Sequence, residues 1–370
     1  MYFEKSFIAN RENLRLMNEW VDHTASACKS VSLIEKANVL IGVGEVLQNC
    51  IRHGFEAHNA SGSVKITVSD LTIGLAVTVT DDAPVSNPTQ WHANKDASEG
   101  GHGLNIIANS SSGYSFYSSG DENKAFLCFL DKRIGLTKHE SLFAAKLIEA
   151  RITSLTLTDL VSSVKSQLPQ NELAVLFDCA SKIEALEERA EFVPAYHNAE
   201  HFREVFISCQ YLIDQGVVSD QWRMGFLLAA LLHDYKHPGI SAMKDVDGYS
   251  SIEARSMALI INDFPQLSSD KNLLSQLEVL ILGTEDQTVN KLQTADLTDS
   301  TELQMQHLFN ACDIASSIIP FVGLDNTKRL VLEEESTADP QAFFNDFQAT
   351  LAVRVNGTPF ECIYKKLISL

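Results

Sequence analysis

The spacing of apolar residues in the first third of the chain switches between two periods. Over Ser32–Phe55 apolar positions recur every three to four residues, which predicts a long amphipathic helix. Ser32 and Glu35 have the spacing of a capping box at its start. In Ser63–Ser69 and Leu75–Thr80 apolar residues alternate with polar ones, so these segments are predicted to be half-buried strands.

Further strand and helix patterns complete this region. Tyr114–Ser118 and Ala125–Leu130 predict a last pair of strands, and Leu104–Ser110 predicts a short helix before them. The polar stretch from Asp81 to Gly103 is longer than an ordinary connection, and loops of that size are usually functional or disordered. The alternation of helices and strands predicts an α/β sandwich.

Beyond residue 131 the helical period dominates, which predicts an all-α region. We place the domain boundary at the charged DKR sequence, giving residues 1–133 and 134–370. The fold class is therefore α+β with two domains. The predicted helices of the second domain are Ser141–Ile152, Leu157–Gln167, Asn171–Glu188, Ala199–Gln215, Gln221–His233, Ser251–Phe264 and Asn272–Gly283.

Charge and targeting patterns narrow the function classes. The net charge is −19, of which −4 falls in residues 1–133 and −15 in the remainder. Because nucleic acids and anionic membranes are held by clustered cationic side chains, we expect neither as a partner. No apolar run approaches the ~20 residues of a membrane span, no secretory signal is evident, and seven scattered cysteines are typical of reduced thiols. We expect a cytoplasmic protein.

The strongest chemical pattern lies in the second domain, in the strings YHNAEH and LLHDYKHPG. His197 and His201 are four residues apart, one helical turn, and can converge on one site. His233 and Asp234 follow an apolar run that predicts a buried helix. Asp313 lies in another apolar helix, where an uncompensated carboxylate would be unfavourable. A bound metal ion would remove that penalty, so these residues predict a metal site.

In residue identity and order these strings resemble the catalytic domain of class I 3′,5′-cyclic nucleotide phosphodiesterases, which belong to the wider HD metal-dependent phosphohydrolases. The resemblance implies hydrolysis of cAMP or cGMP to the 5′-monophosphate by a hydroxide that two metal ions activate. The implied ligands of Zn²⁺, with Mg²⁺ or Mn²⁺ as the second ion, are His201, His233, Asp234 and Asp313. His197 would be the general acid that protonates the leaving O3′.

The same resemblance implies roles for residues that surround the metal ligands. His237 would contact the water shell of the second ion, and Glu253 and Thr284 would support the ligands from outside. Two histidines that the family has after its glutamate are replaced by Arg255 and Ser256, so this outer layer is altered. The candidates for substrate contact are Tyr196, Gln341 and Phe344.

A second constellation lies in the first domain. In EVLQNCIRHGFE the residues Glu45, Asn49 and His53 are spaced four apart, so we expect them on one face of the helix. TVTDDAPVSNP and then EGGHGLNII follow. Over residues 5–131 these boxes resemble the nucleotide-binding motifs of GHKL ATPases, especially the anti-sigma factor serine kinases. The resemblance implies a GHKL (Bergerat) fold.

This second resemblance implies an ATP site. Asn49 would bind the Mg²⁺ of the nucleotide, Glu45 would be the base that activates an attacking hydroxyl, and Asp81 would accept a hydrogen bond from the adenine amino group. Gly101 and Gly103 would let the backbone approach the phosphates at a helix start. One departure is Ala83, where the family usually has glycine. His53 completes the predicted ATP-binding set.

Three functions remain open at this level. The first is a cyclic nucleotide phosphodiesterase that its ATP-binding domain regulates. The second is an anti-sigma-type serine/threonine kinase or partner-switching regulator, in which the HD domain is a sensor and a regulatory protein is the partner. The third keeps the metal site but hydrolyses another nucleotide or phosphoester. A homodimer is a further expectation, since kinases of this kind often dimerise.

Overall fold

The computed structural model describes residues 1–28, 30, 33–84, 102–119, 121–153, 155–190, 193–239, 248–292, 297, 300–334 and 336–369. The backbone divides into two compact units, Met1–Glu149 and Ala150–Leu370. The predicted boundary at 133–134 and this division therefore differ, because one more helix packs with the first unit.

Within its described residues the first unit contains one antiparallel sheet. Its strands are β1 (Tyr2–Ile8), β2 (Ser63–Leu71), β3 (Gly74–Asp81), β4 (Gly113–Ser119) and β5 (Glu122–Leu130). They lie in the order β1-β2-β3-β5-β4. The four predicted strands are confirmed, but the expectation that Leu75–Thr80 is half-buried is wrong, because β3 is buried at almost every residue. Strand β1 was not predicted, because it is an edge strand whose residues are exposed or only half-buried, which weakens the alternating pattern.

Four helices accompany the sheet, and the first three of them contribute side chains to a core shared with it. They are α1 (Arg11–Ala27), α2 (Leu33–Asn49), α3 (Gly103–Ser110) and α4 (Lys138–Ile152). Met17 and Val21 of α1 and Val43 and Leu47 of α2 are fully buried in one cluster with the inward residues of β2 and β3. Burial of these side chains supplies most of the driving force for this packing.

The helix predicted over Ser32–Phe55 changes geometry before its end. The α-helix stops at Asn49, a π-helical segment runs over Cys50–Phe55, and a short 3₁₀ turn follows. π-Helical segments often occur at functional sites. Ser32 lies outside the residues that the structure describes, so its proposed capping pair with Glu35 stays a prediction.

Helix α4 explains the shifted boundary. A Cβ atom built on Gly113 would lie 2.5 Å from the Cβ of Ala145, so α4 approaches β4 closely. The Ser115 hydroxyl also donates a hydrogen bond to the Glu149 carboxylate. This packing of α4 on β4 depends on the glycine at position 113. The hydrophobic periodicity of the two segments does not reveal it.

The described part of the second unit is mostly helical. Its helices are α5 (Leu157–Ser163), α6 (Gln170–Arg189), α7 (Ala199–Asp214), α8 (Asp220–Leu232), α9 (Ile252–Asp263), α10 (Lys271–Leu282), α11 (Asp286–Leu292), α12 (Thr301–Ala315), α13 (Pro320–Glu333), α14 (Pro340–Val355) and α15 (Pro359–Leu367). Each of the seven predicted helices corresponds to one of these or to α4, with ends that differ by a few residues.

Two apolar helices of this unit are buried along most of their length. In α8 every residue from Gly225 to Leu232 is buried, and in α12 the residues around Cys312 are buried as well. Among the described residues no single helix has the length and hydropathy to span a bilayer, and the one consecutive pair that has them in combination, Thr301–Ile318 and Pro320–Glu333, is bent by 102°.

Candidate functional site

Helices α7, α8 and α12 bring four ligating side chains to one point. Asn198 caps α7 by accepting a hydrogen bond from the Glu200 N–H, which places His201 in the first turn. His233 is the C-cap of α8, and the last turns of this helix are buried in the unit. His233 and Asp234 therefore follow a buried helix end. Asp313 lies in the last turn of α12.

The four predicted ligands converge closely. His201 Nε2 lies 3.1 Å from His233 Nε2 and 3.1 Å from Asp313 Oδ1, and His233 Nε2 lies 3.1 Å from Asp234 Oδ2. One ligand atom from each of the four residues falls within 4.8 Å of the others. The two imidazoles are almost fully buried.

The donor set fits a divalent cation. Burial alone would lower the pKa of His233 and raise that of Asp234, yet their mutual attraction raises the first and lowers the second overall. Within the described residues neither His201 Nδ1 nor His233 Nδ1 has a hydrogen-bond partner. Two imidazole nitrogens facing one another beside two carboxylates form a nitrogen and oxygen set that zinc accepts.

His197 lies beside this cluster but belongs to another group. Its Nδ1 pairs with Glu333 Oε1, while Glu333 Oε2 accepts hydrogen bonds from the backbone N–H groups of Tyr196 at 2.6 Å and His197 at 3.1 Å. His197 Nε2 is 3.9 Å from Asp234 Oδ2. The expectation of a shared helical turn with His201 is wrong, because α7 begins only at Ala199, although the two side chains do converge.

Glu333 was missed in the sequence. It is the last residue of α13, 136 positions from His197. Its carboxylate is completely buried, but in the sequence it stands next to Glu334 and has no flanking motif. Only the fold brings it to the histidine.

His237 completes the second group. Its ring stacks on that of His197, with 3.7 Å between ring centres and 21° between planes. Its Nδ1 accepts a hydrogen bond from the Gly239 N–H at 3.1 Å, which leaves the proton on Nε2. Burial lowers the pKa of His237 to about 4, so it is neutral near pH 7. His197, His237 and Glu333 form a second set of atoms close enough to hold a metal ion.

The other predicted supporting residues have different surroundings. Tyr196 packs its ring 4.6 Å from that of His201, and burial raises its pKa well above the usual value. Burial raises the pKa of Glu253, and the charge of Asp234 raises it further. The Thr284 hydroxyl donates to the Ile281 carbonyl at 2.8 Å.

Gln341 and Phe344 lie on α14, and neither of them lines the cavity that opens beside His197 and His237. Gln341 is exposed and donates a hydrogen bond to the Asn345 side chain. Phe344 packs on Gly323, where an added Cβ would be 2.6 Å from its ring. Their proposed contact with a substrate stays a prediction.

A cavity of about 370 Å³ opens beside the two groups. His197, Asp234 and His237 line one side of it, whereas the remaining lining is largely apolar. Apolar pockets with a few convergent polar groups are typical of small-molecule sites. The apolar part includes Ile183, Leu186, Val193, Pro194 and Phe202.

The buried Glu333 carboxylate gives a testable dependence of stability on pH. Burial would raise its pKa, but hydrogen bonds from His197 and the backbone lower it overall from the usual 4.5. Such a group stabilises the fold above its unfolded pKa, and this stabilisation is lost as pH falls through the folded pKa. We expect metal-free Glu333→Gln to be less stable by about 1–3 kcal/mol at neutral pH, with a smaller difference in acid.

Urea unfolding of both proteins at neutral pH and at successively lower pH measures this difference. The matched control is Glu334→Gln, which changes the neighbouring carboxyl at the C-cap of α13. A difference between wild type and Glu333→Gln that stays constant down to the lowest pH would contradict the prediction.

In the first unit, three predicted ATP-site residues lie together. A Cβ atom built on Gly103 would lie 3.1 Å from Glu45 Oε2 and 3.3 Å from Asn49 Nδ2. Glycine thus keeps open a space at the start of α3 that both polar side chains border. A helix start favours anions. His53 is exposed within the π-helical segment, and its part in the ATP site stays a prediction. Gly101 lies outside the described residues.

Asp81 ends β3 in a buried position with defined partners. Its Oδ1 accepts hydrogen bonds from Asn123 Nδ2 at 2.9 Å and from the Ala83 N–H at 3.1 Å. The methyl group of Ala83 lies where it would be 2.9 Å from a Cβ at Gly54. Gly54, in the π-helical segment, therefore leaves room for Ala83, the residue that departs from the family pattern.

Comparison with known families agrees with this geometry. The family model of the histidine kinase-like ATPase domain matches residues 7–129. This confirms the prediction of a histidine kinase-like ATPase domain at the N-terminal end, and the matched region lies wholly in the first unit. No curated protein matches the chain.

Proposed function

We propose that this chain joins an ATP-binding, histidine kinase-like domain to a metal-dependent phosphodiesterase that hydrolyses a 3′,5′-cyclic nucleotide. The observation that carries the proposal is the convergence of two imidazoles and two carboxylates beside a histidine–glutamate pair and a cavity. Those are the groups that metal-assisted hydrolysis of a phosphate ester requires.

The metal-binding role falls to the four-residue cluster. His201, His233, Asp234 and Asp313 would hold the first ion, with zinc the best match to this donor set. Asp234 would also contribute to a second ion, Mg²⁺ or Mn²⁺. A divalent cation bound there supplies positive charge that stabilises a phosphate undergoing substitution.

The chain's own groups would handle the proton. His197 has its Nδ1 fixed by Glu333, so its Nε2 is directed toward Asp234 and the cavity. A histidine oriented in this way can hold a proton on Nε2 for a leaving oxygen. The stacked His237 restricts movement of that ring. The apolar lining of the cavity would exclude water and accommodate a nucleobase.

A direct experiment is metal analysis of the purified protein together with hydrolysis assays. We expect bound zinc, and conversion of cAMP or cGMP to the 5′-monophosphate in the presence of Mn²⁺ or Mg²⁺. The assays are run with and without ATP, so that regulation by the first unit is measured too. Hydrolysis of other phosphoesters but not of cyclic nucleotides would favour the third function, and absence of both metal and hydrolysis would refute the proposal.

The second candidate function is phosphorylation of a serine or threonine on a partner protein. The position of Glu45 and Asn49 around Gly103, together with the matched ATPase domain, favours it. ATP with Mg²⁺ would bind in this unit, and Glu45 would accept the proton of the attacking hydroxyl. A regulatory protein partner and a homodimer are predictions from the resemblance alone.

A further inference from the structure

Helix α14 contributes a cation to the ligand cluster. The guanidinium of Arg354 donates from Nη2 to Asp313 Oδ2 at 3.2 Å, and only 15% of its side chain is exposed. We propose that Arg354 is a positioning residue that holds Asp313 in the orientation for metal binding. This inference rests on the metal site of the proposed function.

The two oxygens of Asp313 have separate partners. Oδ1 faces the imidazoles, 3.1 Å from His201 Nε2 and 3.4 Å from His233 Nε2. Oδ2 accepts the hydrogen bond from Arg354. Because the guanidinium holds Oδ2, Asp313 presents a single oxygen to an ion at the cluster.

Arg354 is itself fixed in place. Its Nε donates to Asn310 Oδ1 at 2.7 Å, and its Nη2 also lies 3.4 Å from the Asn310 carbonyl oxygen. Asn310 is buried and stands one turn before Asp313 on α12. A planar guanidinium can bind two such acceptors at once, whereas the single ammonium of lysine cannot reproduce that geometry.

Two opposite effects of Arg354 on metal affinity can be separated. Its positive charge alone would repel a cation, so its removal would tighten binding. Its hydrogen bond orients a ligand, and loss of such supporting contacts weakens metal binding by about 10- to 100-fold. Since Arg354 is anchored to Asn310 rather than free to turn toward solvent, we expect orientation to dominate.

The test measures zinc affinity by competition with a chromophoric chelator, and the visible spectrum of bound Co²⁺. We expect Arg354→Ala to weaken zinc binding by about 10- to 100-fold and to alter the Co²⁺ spectrum, with partial recovery in Arg354→Lys. Asn310→Leu keeps the charge of Arg354 but removes the side-chain acceptor at 2.7 Å that anchors it, and it should weaken zinc binding too. The matched control is Arg223→Ala, which removes an arginine paired with Asp220 on α8.

The outcomes distinguish a failure of the positioning role of Arg354 from a failure of the metal site. Unchanged or tighter zinc binding in folded Arg354→Ala would overturn the positioning role while leaving the metal site intact. If Arg354→Ala fails to fold, as judged by circular dichroism, Asn310→Leu decides, and normal zinc affinity in that variant overturns the role. Absence of zinc and Co²⁺ binding by the wild type would refute the metal site itself, and the positioning role with it.

Discussion

His201→Ala is expected to remove the metal from the helical unit, whereas His197→Ala is expected to keep the metal and to lose about 10²- to 10⁴-fold of turnover. The two residues are four positions apart but have different partners. His201 Nε2 lies among the other ligand atoms, while His197 Nδ1 is bound to Glu333. Metal content by mass spectrometry and kcat with cAMP or cGMP measure the two effects separately.

The control for this comparison is His307→Ala. His307 belongs to α12, as Asp313 does, but its Nε2 interacts with the Asn356 carbonyl. Both metal content and turnover should be preserved in this variant. Equal loss of metal in His197→Ala and His201→Ala would show that His197 is a ligand and that the assignment of roles is wrong.

The parts of the site that could be found in the sequence are those marked by local pattern. His233 and Asp234 end an apolar run, and Asp313 is a carboxylate within another, so each stood out by the penalty of burying a charge. Glu45 and Asn49 were found by their helical spacing. In each case one short segment contains both the chemical group and the reason for its position.

The parts that were missed depend on contacts between distant segments. Glu333 reaches His197 across 136 residues, and Arg354 reaches Asp313 across 41. Neither lies in a motif, and in the sequence each resembles an ordinary surface charge. Helix α14 was singled out for Gln341 and Phe344, but the residue it brings to the cluster is Arg354.

The fold shows the same division between local and distant information. Strand β2 was predicted because it has one buried and one partly exposed face, which produces alternation. Strands β3 and β5 are buried at almost every residue, so their polar positions did not indicate an exposed face. The close approach of α4 to β4 depends on the absence of a side chain at Gly113, so it could not be read from hydrophobic spacing. The π-helical segment that follows α2 also escaped prediction.

Asp234→Asn and Glu45→Gln should affect different reactions, and this separation decides between the two candidate functions. Asp234 lies 3.1 Å from His233 and also faces His201 and His197, so loss of its charge should abolish metal-dependent hydrolysis and leave ATP binding unchanged. Glu45→Gln should preserve zinc content and hydrolysis without ATP, but abolish any phosphorylation of a partner protein. Radiolabelled ATP transfer, ATP binding and cyclic nucleotide hydrolysis are measured for both variants.

The reverse outcomes have clear meanings. Full hydrolysis by Asp234→Asn would exclude the cluster as the hydrolytic site, because a carboxylate that lies within 4 Å of His233, His201 and His197 would then be dispensable. Phosphorylation of a partner protein that requires Glu45, in a wild-type protein with no metal bound in its helical unit, would make the kinase the primary function. If each substitution abolishes only its own reaction, the two units have separate chemistries, and ATP can then be tested as an effector of hydrolysis in Glu45→Gln, where phosphoryl transfer no longer contributes.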